Sequence, residues 1–196
     1  MKLMNNSQET VILWTRQDKR MLEELNTKGR FIMDSAHIEE KQMDIADYYI
    51  KLYKWFSDKA SRFVPRPLDV MYPIWCSISE EYMLRKTEDT VVLKLKVPKD
   101  QIIYFNGGRW DMVLNHMYIP IDEADDREFK ENLKNRGLNN SFSMIEGKNA
   151  NFYPDVKRKI IASWDRVFEI DNWNDIFTLQ ANLWEIKSEW VIDIEK

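Results

Sequence analysis

Apolar and polar positions along this chain group into short stretches that can be read one at a time. Val11 to Thr15 (VILWT) is a run of strand formers. Met21, Leu22 and Leu25 follow at helical spacing, with Asp18 where a helix N-cap belongs and Gly29 just past the end. A strand leading into a helix is predicted. Ile45, Tyr49, Leu52, Phe56, Ala60 and Phe63 form a second helical stripe, backed by Lys51, Lys54, Asp58 and Arg62 and ended by Pro65 and Pro67. YPIWCSIS (72–79) suits a buried strand, and TVVLKLKV (90–97) alternates Val91, Leu93, Leu95 and Val97 against Val92, Lys94 and Lys96. QIIYF (101–105) offers a further strand, and Gly107-Gly108 reads as a turn before Trp110, Val113, Leu114 and Met117 at helical spacing.

The second half repeats the same kinds of signal. IDEADDREFKENLKNRG (121–137) is an exposed helix whose early carboxylates suit the helix dipole and whose close is Gly137. Residues 139–151 (NNSFSMIEGKNAN) are polar and turn-rich, the composition of a mobile loop or lid. Pro154 opens a helix with Val156, Ile160, Trp164, Val167 and Phe168 on one face. IFTLQANLWEI (176–186) reads as a strand with Phe177, Leu179, Ala181 and Leu183 on one side and Thr178, Gln180, Asn182 and Trp184 on the other. Glu185 then falls on the apolar side. A buried carboxylate costs several kcal/mol unless paired, so the strand leaves the core there, a bulge re-aims the side chain, or the acid lines a cleft. WVIDI (190–194) closes the set.

These elements predict an α+β protein, one domain over residues 1–196, with a mixed or antiparallel sheet flanked by helices. Hydrophobic residues at 44% and aromatics at 13% are enough to bury a core, which excludes a disordered chain. A formal net charge of -4 argues against bulk electrostatic binding to nucleic acid, though a local basic groove is compatible with it. Cys76 is the only cysteine, so neither an internal disulfide nor a cysteine metal cluster is expected. The first residues lack an apolar core of signal-peptide length, and no apolar run approaches a membrane span. A reducing cytoplasm, with no membrane association, is the expected setting.

Chemistry-bearing motifs are few. His37 and His116 lack metal-ligand spacing, Cys76 suits a buried thiol, and the acidic cluster of Asp122, Glu123, Asp125 and Asp126 lacks the spacing of a calcium loop; no metal is expected. The Lys51 to Arg66 helix interleaves Tyr53, Trp55 and Phe56 with basic residues. That pattern suits either a core face with a solvated back or a nucleic-acid surface. The segment WTRQ (14–17) puts Arg16 at the end of the first strand, where its guanidinium can grip a carboxylate or pyrophosphate through two N–H bonds.

Five blocks carry a resemblance: WTRQ, YPIW (72–75), VPKDQIIYF with RWDMVLN (97–115), KIIASWDRVFEID (159–171) and LQANLWEIKSEWVIDI (179–194). In that order they resemble a bacterial and phage family known only as a domain of unknown function. Around Asn106 to Asp111 the chain departs from that family's pattern. A second resemblance is to the ADP-ribosyltransferase-like fold, through Arg16, then Tyr72, Trp75 and Ser77, then Gln180 and Glu185 in corresponding order.

That resemblance implies cleavage of the nicotinamide–ribose bond of NAD, used as a substrate, with transfer to an unidentified acceptor, protein or nucleic acid. Glu185 would stabilise the oxocarbenium-like sugar, Arg16 would hold pyrophosphate or ribose, and Thr15 and Gln17 would add hydrogen bonds. Tyr72 or Trp75 would pack on the nicotinamide ring, with Ser77 and Gln180 completing the site. Asn182 stands nearer the position where such enzymes carry their acid. A catalytically silent protein that binds a protein partner or nucleic acid through the same cleft or through the Lys51 to Arg66 helix is the alternative.

Overall fold

The computed structural model describes residues 9–138, 141–146 and 151–195. They form two compact units, the first comprising the segments up to Phe105 and from Asn172 onward, the second running from Asn106 to Asp171. The fold class is α+β, as the alternation of strand and helix patterns predicts.

The first unit is built on a six-stranded sheet. β1 (Thr10–Asp18) leads into α1 (Met21–Lys28), followed by β2 (Arg30–Phe31), α2 (Ser35–Gln42) and α3 (Ala46–Ala60). β3 (Ile74–Ser77), β4 (Thr90–Pro98), β5 (Ile103–Asn106), β6 (Leu179–Leu183), β7 (Ile186–Lys187) and β8 (Val191–Glu195) complete the strands. The order across the sheet is β5-β6-β3-β1-β4-β8, and β2 pairs with β7 as a separate two-stranded ribbon. β1 pairs antiparallel with β3 and β4, β3 with β6, and β4 with β8.

Register separates the two faces. Leu13 opposite Leu95 and Thr15 opposite Leu93 put these four on one face, joined by Ile74, Cys76, Ala181 and Leu183. Met21 and Leu25 of α1 pack there with Phe31, Ile186 and Trp190, a single apolar cluster. Trp14, opposite both Lys94 and Ser77, defines the other face, which therefore carries Arg16, Asp18, Trp75 and Asn182. Aromatic rings cover part of it: Phe56 of α3, Phe105 and Trp75 meet with centroids 5.1 to 5.5 Å apart.

Local sequence explains the element ends. α1 ends at Gly29, whose φ of 71° is the left-handed conformation glycine adopts without a Cβ clash. β1 runs three residues further than VILWT, and Asp18, in place of capping α1, binds the Arg20 backbone N–H and guanidinium. α3 buries Leu52, Phe56 and Ala60 as its stripe predicts, whereas Phe63 lies past its end and is exposed. Between α2 and α3 the chain turns through Met43 at φ 45° and ψ -122°, a conformation that costs on the order of 1–3 kcal/mol in a non-glycine residue. At the sheet edge, β8 presents exposed Ile192, Asp193 and Glu195, and its register against β4 shifts between Lys94 and Leu95.

The second unit is helical. α4 (Gly107–Leu114), α5 (Glu123–Asn135), α6 (Phe142–Ile145) and α7 (Pro154–Ser163) are followed by a 3-10 segment over Trp164–Phe168. Gly107 and Gly108 are the first turn of α4 rather than a separate turn, because the Asn106 side chain accepts the Arg109 N–H and caps the helix there. Asp122 caps α5 through the N–H groups of Ala124 and Asp125. Val156, Ile160, Trp164, Val167 and Phe168 are buried, as their spacing predicts. The 139–151 segment lies partly outside the described residues. Within it, Met144 and Ile145 of α6 are buried, so that part is anchored by apolar contacts.

Candidate functional site

A cavity of about 370 Å³ opens where β1 ends, on the face that carries Arg16. Its floor comes from the sheet, through Arg16, Gln17, Asp18, Trp75 and Thr90. One wall is α2, which supplies His37, Ile38, Glu40, Lys41 and Gln42, and Tyr53 of α3 closes the back. The size falls within the range of small-molecule sites, as does the mixture of aromatic wall and few polar groups.

The aromatic part is built from sheet and helix together. The rings of Tyr53 and Trp75 lie with centroids 5.4 Å apart and tilted by 46°. Phe56 and Phe105 pack on Trp75 from below, which fixes the indole as a rigid platform. Burial pushes the Tyr53 phenol up to about 12, so it stays a neutral hydrogen-bonding group through the physiological range.

The charged part divides into a compensated and an uncompensated half. Arg20 donates from Nε and Nη2 to the two carboxylate oxygens of Asp18 at 2.8 and 2.7 Å, and also reaches Glu40 at 2.8 Å. Its Nε and Nη2 are thereby engaged by two acids, and the hydrogen bonds from its side chain hold the Asp18 carboxyl down at about 2. Arg16 differs. Its guanidinium donates to the Arg85 carbonyl at 2.9 Å, and among the described residues no carboxylate lies within ion-pair distance of it.

Lys41 is likewise without an acidic partner among the described residues. Although Lys41 as a residue is exposed, loss of water at the cavity wall lowers the pKa of its ammonium, and the positive charge of Arg16 lowers it further. Two cations thus repel each other across one end of the cavity. Hydroxyls of Thr87 and Thr90, 2.9 Å apart, stand at the rim.

The sequence-predicted residues divide between this cavity and the core. Arg16, Gln17 and Trp75 line it. Thr15 is buried beneath, donating to the Trp75 carbonyl at 2.8 Å and receiving the Gln17 amide at 2.7 Å, so it positions two lining residues without reaching the cavity. Tyr72 is 1% exposed and bridges Met33, a core position rather than a ring platform. Ser77 is buried and donates to the Ser79 carbonyl at 2.8 Å, and Gln180 sits opposite it on β6. None of these last four lines the cavity.

Glu185 is elsewhere too. β6 ends at Leu183, and the chain continues into the ribbon formed by β7 and β2. There the Glu185 carboxylate, 15% exposed, meets Arg30 Nε at 2.7 Å and Lys187 Nζ at 3.6 Å. The expected convergence of Arg16, Tyr72 and Glu185 on one hollow is therefore not what the fold builds. The physical reason is local: a half-buried carboxylate beside two cations is satisfied by them. Asn182, fully buried, donates to the Ile74 carbonyl at 3.2 Å.

The α2 wall is the part that pattern reading misses. Only Ile38 of α2 is buried, so there is no apolar stripe to find. The available signal was Asp34, whose carboxylate accepts the His37 N–H as an N-cap, with Lys41 in the last turn. On α3, Lys51 and Lys54 are exposed whereas Phe56 and Leu52 are buried, so the lysines and the aromatic stripe occupy different sides; Arg62, past its end, is exposed too. Cys76 is buried, and burial pushes its thiol up to about 12, which makes it unreactive. Among the described residues no helix is long and apolar enough to cross a membrane.

Fold and cavity together define an α+β protein with an antiparallel sheet that carries a cation-rich, aromatic-walled pocket at the end of its first strand. The chain belongs to the family described as Domain of unknown function (DUF3841), which it matches over residues 12–192. No curated protein and no solved structure matches it.

Proposed function

We propose that the cavity at the end of β1 binds a nucleotide, with NAD the first candidate. The observation that carries this reading is the pairing of Arg16 with Lys41, two neighbouring cations without a carboxylate, beside the Trp75–Tyr53 platform. Like charges held together weaken the free protein and are relieved when an anion binds between them. A phosphate or pyrophosphate supplies that charge, and Arg16 can hold it through two parallel N–H bonds. A base or nicotinamide ring then has an aromatic face to stack on.

The wider reading, cleavage of NAD and transfer of its ADP-ribose moiety, needs a carboxylate beside the ribose. With Glu185 engaged by Arg30 and Lys187, and Asp18 and Glu40 both held by Arg20, nucleotide binding without cleavage by Glu185 is the role this arrangement favours.

Thermal melts with NAD, ADP-ribose, AMP and nicotinamide mononucleotide separate these ideas. A ligand present at one hundred times its dissociation constant stabilises the native state by about 2.7 kcal/mol, a shift of several degrees for a chain of this size. We expect such a shift with NAD, its loss in Arg16→Gln, and no release of nicotinamide. Absence of any shift with all four compounds would reject nucleotide binding. Release of nicotinamide that is lost in Glu185→Gln would restore that residue as the acid.

A further inference from the structure

We infer that Lys41 is the cavity's nucleophilic amine and that it forms an imine with a phosphorylated aldehyde whose phosphate is held by Arg16. Lys19, Lys28, Lys99 and Lys130 each have a carboxylate partner. Lys41 has a different setting. It lines an aromatic cavity with a cation as its neighbour, and Asp18 and Glu40, the two carboxylates that line it, are both bound to Arg20. Loss of water and a nearby positive charge are the two devices that activate an amine for attack on a carbonyl.

The groups around it suit one ligand shape. Arg16 fixes a phosphate by charge and hydrogen bonding, Trp75 and Tyr53 offer a stacking face, and Lys41 meets a carbonyl carbon on the same ligand. The neutral ε-amine nitrogen adds to that carbon to give a carbinolamine. Loss of the carbonyl oxygen as water, with both amine protons, leaves the C=N bond; no electrons are exchanged with any third party. His37, whose Nδ1 lies 2.5 Å from Asp34 Oδ1, also borders the cavity, and its imidazole can carry a proton in the dehydration.

The proposal is independent of NAD, because it concerns covalent capture of a carbonyl rather than binding of a dinucleotide. Pyridoxal 5′-phosphate followed by borohydride reduction tests it, with the adducts located by peptide mass spectrometry. Lys41 is expected to be labelled more than about tenfold faster than any other lysine, since a phosphate held beside the amine makes the addition effectively intramolecular. Excess inorganic phosphate and Arg16→Gln should each remove that preference. Lys41→Arg, which keeps the charge and loses the nucleophile, should abolish the adduct, whereas Lys54→Arg, on the exposed side of α3 outside the cavity, should leave the Lys41 adduct in place. Adducts spread over the exposed lysines in wild-type protein, or a Lys41 adduct indifferent to both phosphate and Arg16→Gln, would overturn the inference.

Discussion

The Arg16 end of the sheet and the Glu185 corner each hold a charged side chain partly withdrawn from water, and the chain treats them in opposite ways. Glu185 is met by Arg30 at 2.7 Å and Lys187 at 3.6 Å, and Arg30 in turn holds Asp69 at 3.0 Å. Charge there is matched within the fold, so the corner ties β2, β7 and the loop at Asp69 together. Arg16 has a carbonyl for company and a lysine for a neighbour. An unmatched charge costs stability, and a folded protein keeps one where something outside the chain supplies the counter-charge. Compensation ties the Glu185 corner together, and its absence at Arg16 is the feature on which the proposed anion binding rests.

Four measurements sharpen or break this contrast. The largest effect should come from Arg30→Gln, which leaves Glu185 with only the more distant Lys187 and should cost about 2 kcal/mol in a chemical denaturation midpoint. That is below the full penalty for a broken buried pair because water reaches part of the carboxylate. A loss no greater than surface scatter would mean the corner is not a structural tie. Next, Arg16→Gln should weaken nucleotide binding by about 1.5–3 kcal/mol, the range for a hydrogen bond to a charged group, read by titration calorimetry.

The same variant should leave thermal stability within about 0.5 kcal/mol of wild type or raise it slightly. A marked fall would show Arg16 to be a structural residue after all. The smallest effect belongs to Asp18. Its folded pKa of about 2 lies below the unfolded value near 3.9, so its contribution is present above about pH 4 and fades as pH falls toward 2. Being one third exposed, the Asp18–Arg20 pair is screened, and Asp18→Asn should cost less than about 1 kcal/mol at pH 7. The difference between the two proteins should vanish in melts near pH 2.

Legibility in the sequence followed apolar periodicity. β4, α3 and α7 were readable because their buried positions repeat at a fixed spacing, and the α+β class followed from them. That Arg16 and Trp75 line one cavity follows from strong strand patterns, Arg16 at the end of its strand and Trp75 within its own. Alternation carries the strand of 176–186 too far at both ends: β6 stops at Leu183, two residues short of Glu185, which pairs with Arg30 and Lys187 outside the cavity. Asp175 binds the Thr178 hydroxyl and the Phe177 N–H, which holds those residues in a turn, and Phe177 is 70% exposed. β6 begins only at Leu179. Lys41 and Glu40 were missed for the opposite reason. A helix that contributes polar groups to a cavity has no apolar rhythm to betray it, and which side chains it brings to Arg16 is decided by the turn at Met43, a tertiary matter.

The outermost strand, β8, has one further implication. Such a border is where a second polypeptide would zip on through backbone hydrogen bonds, the first step toward fibrils. The two carboxylates of Asp193 and Glu195 oblige any incoming copy to bring like charge against like, and the slipped register at Lys94 and Leu95 bends the border away from the flat template that stacking requires. Both features disfavour stacking of copies through β8.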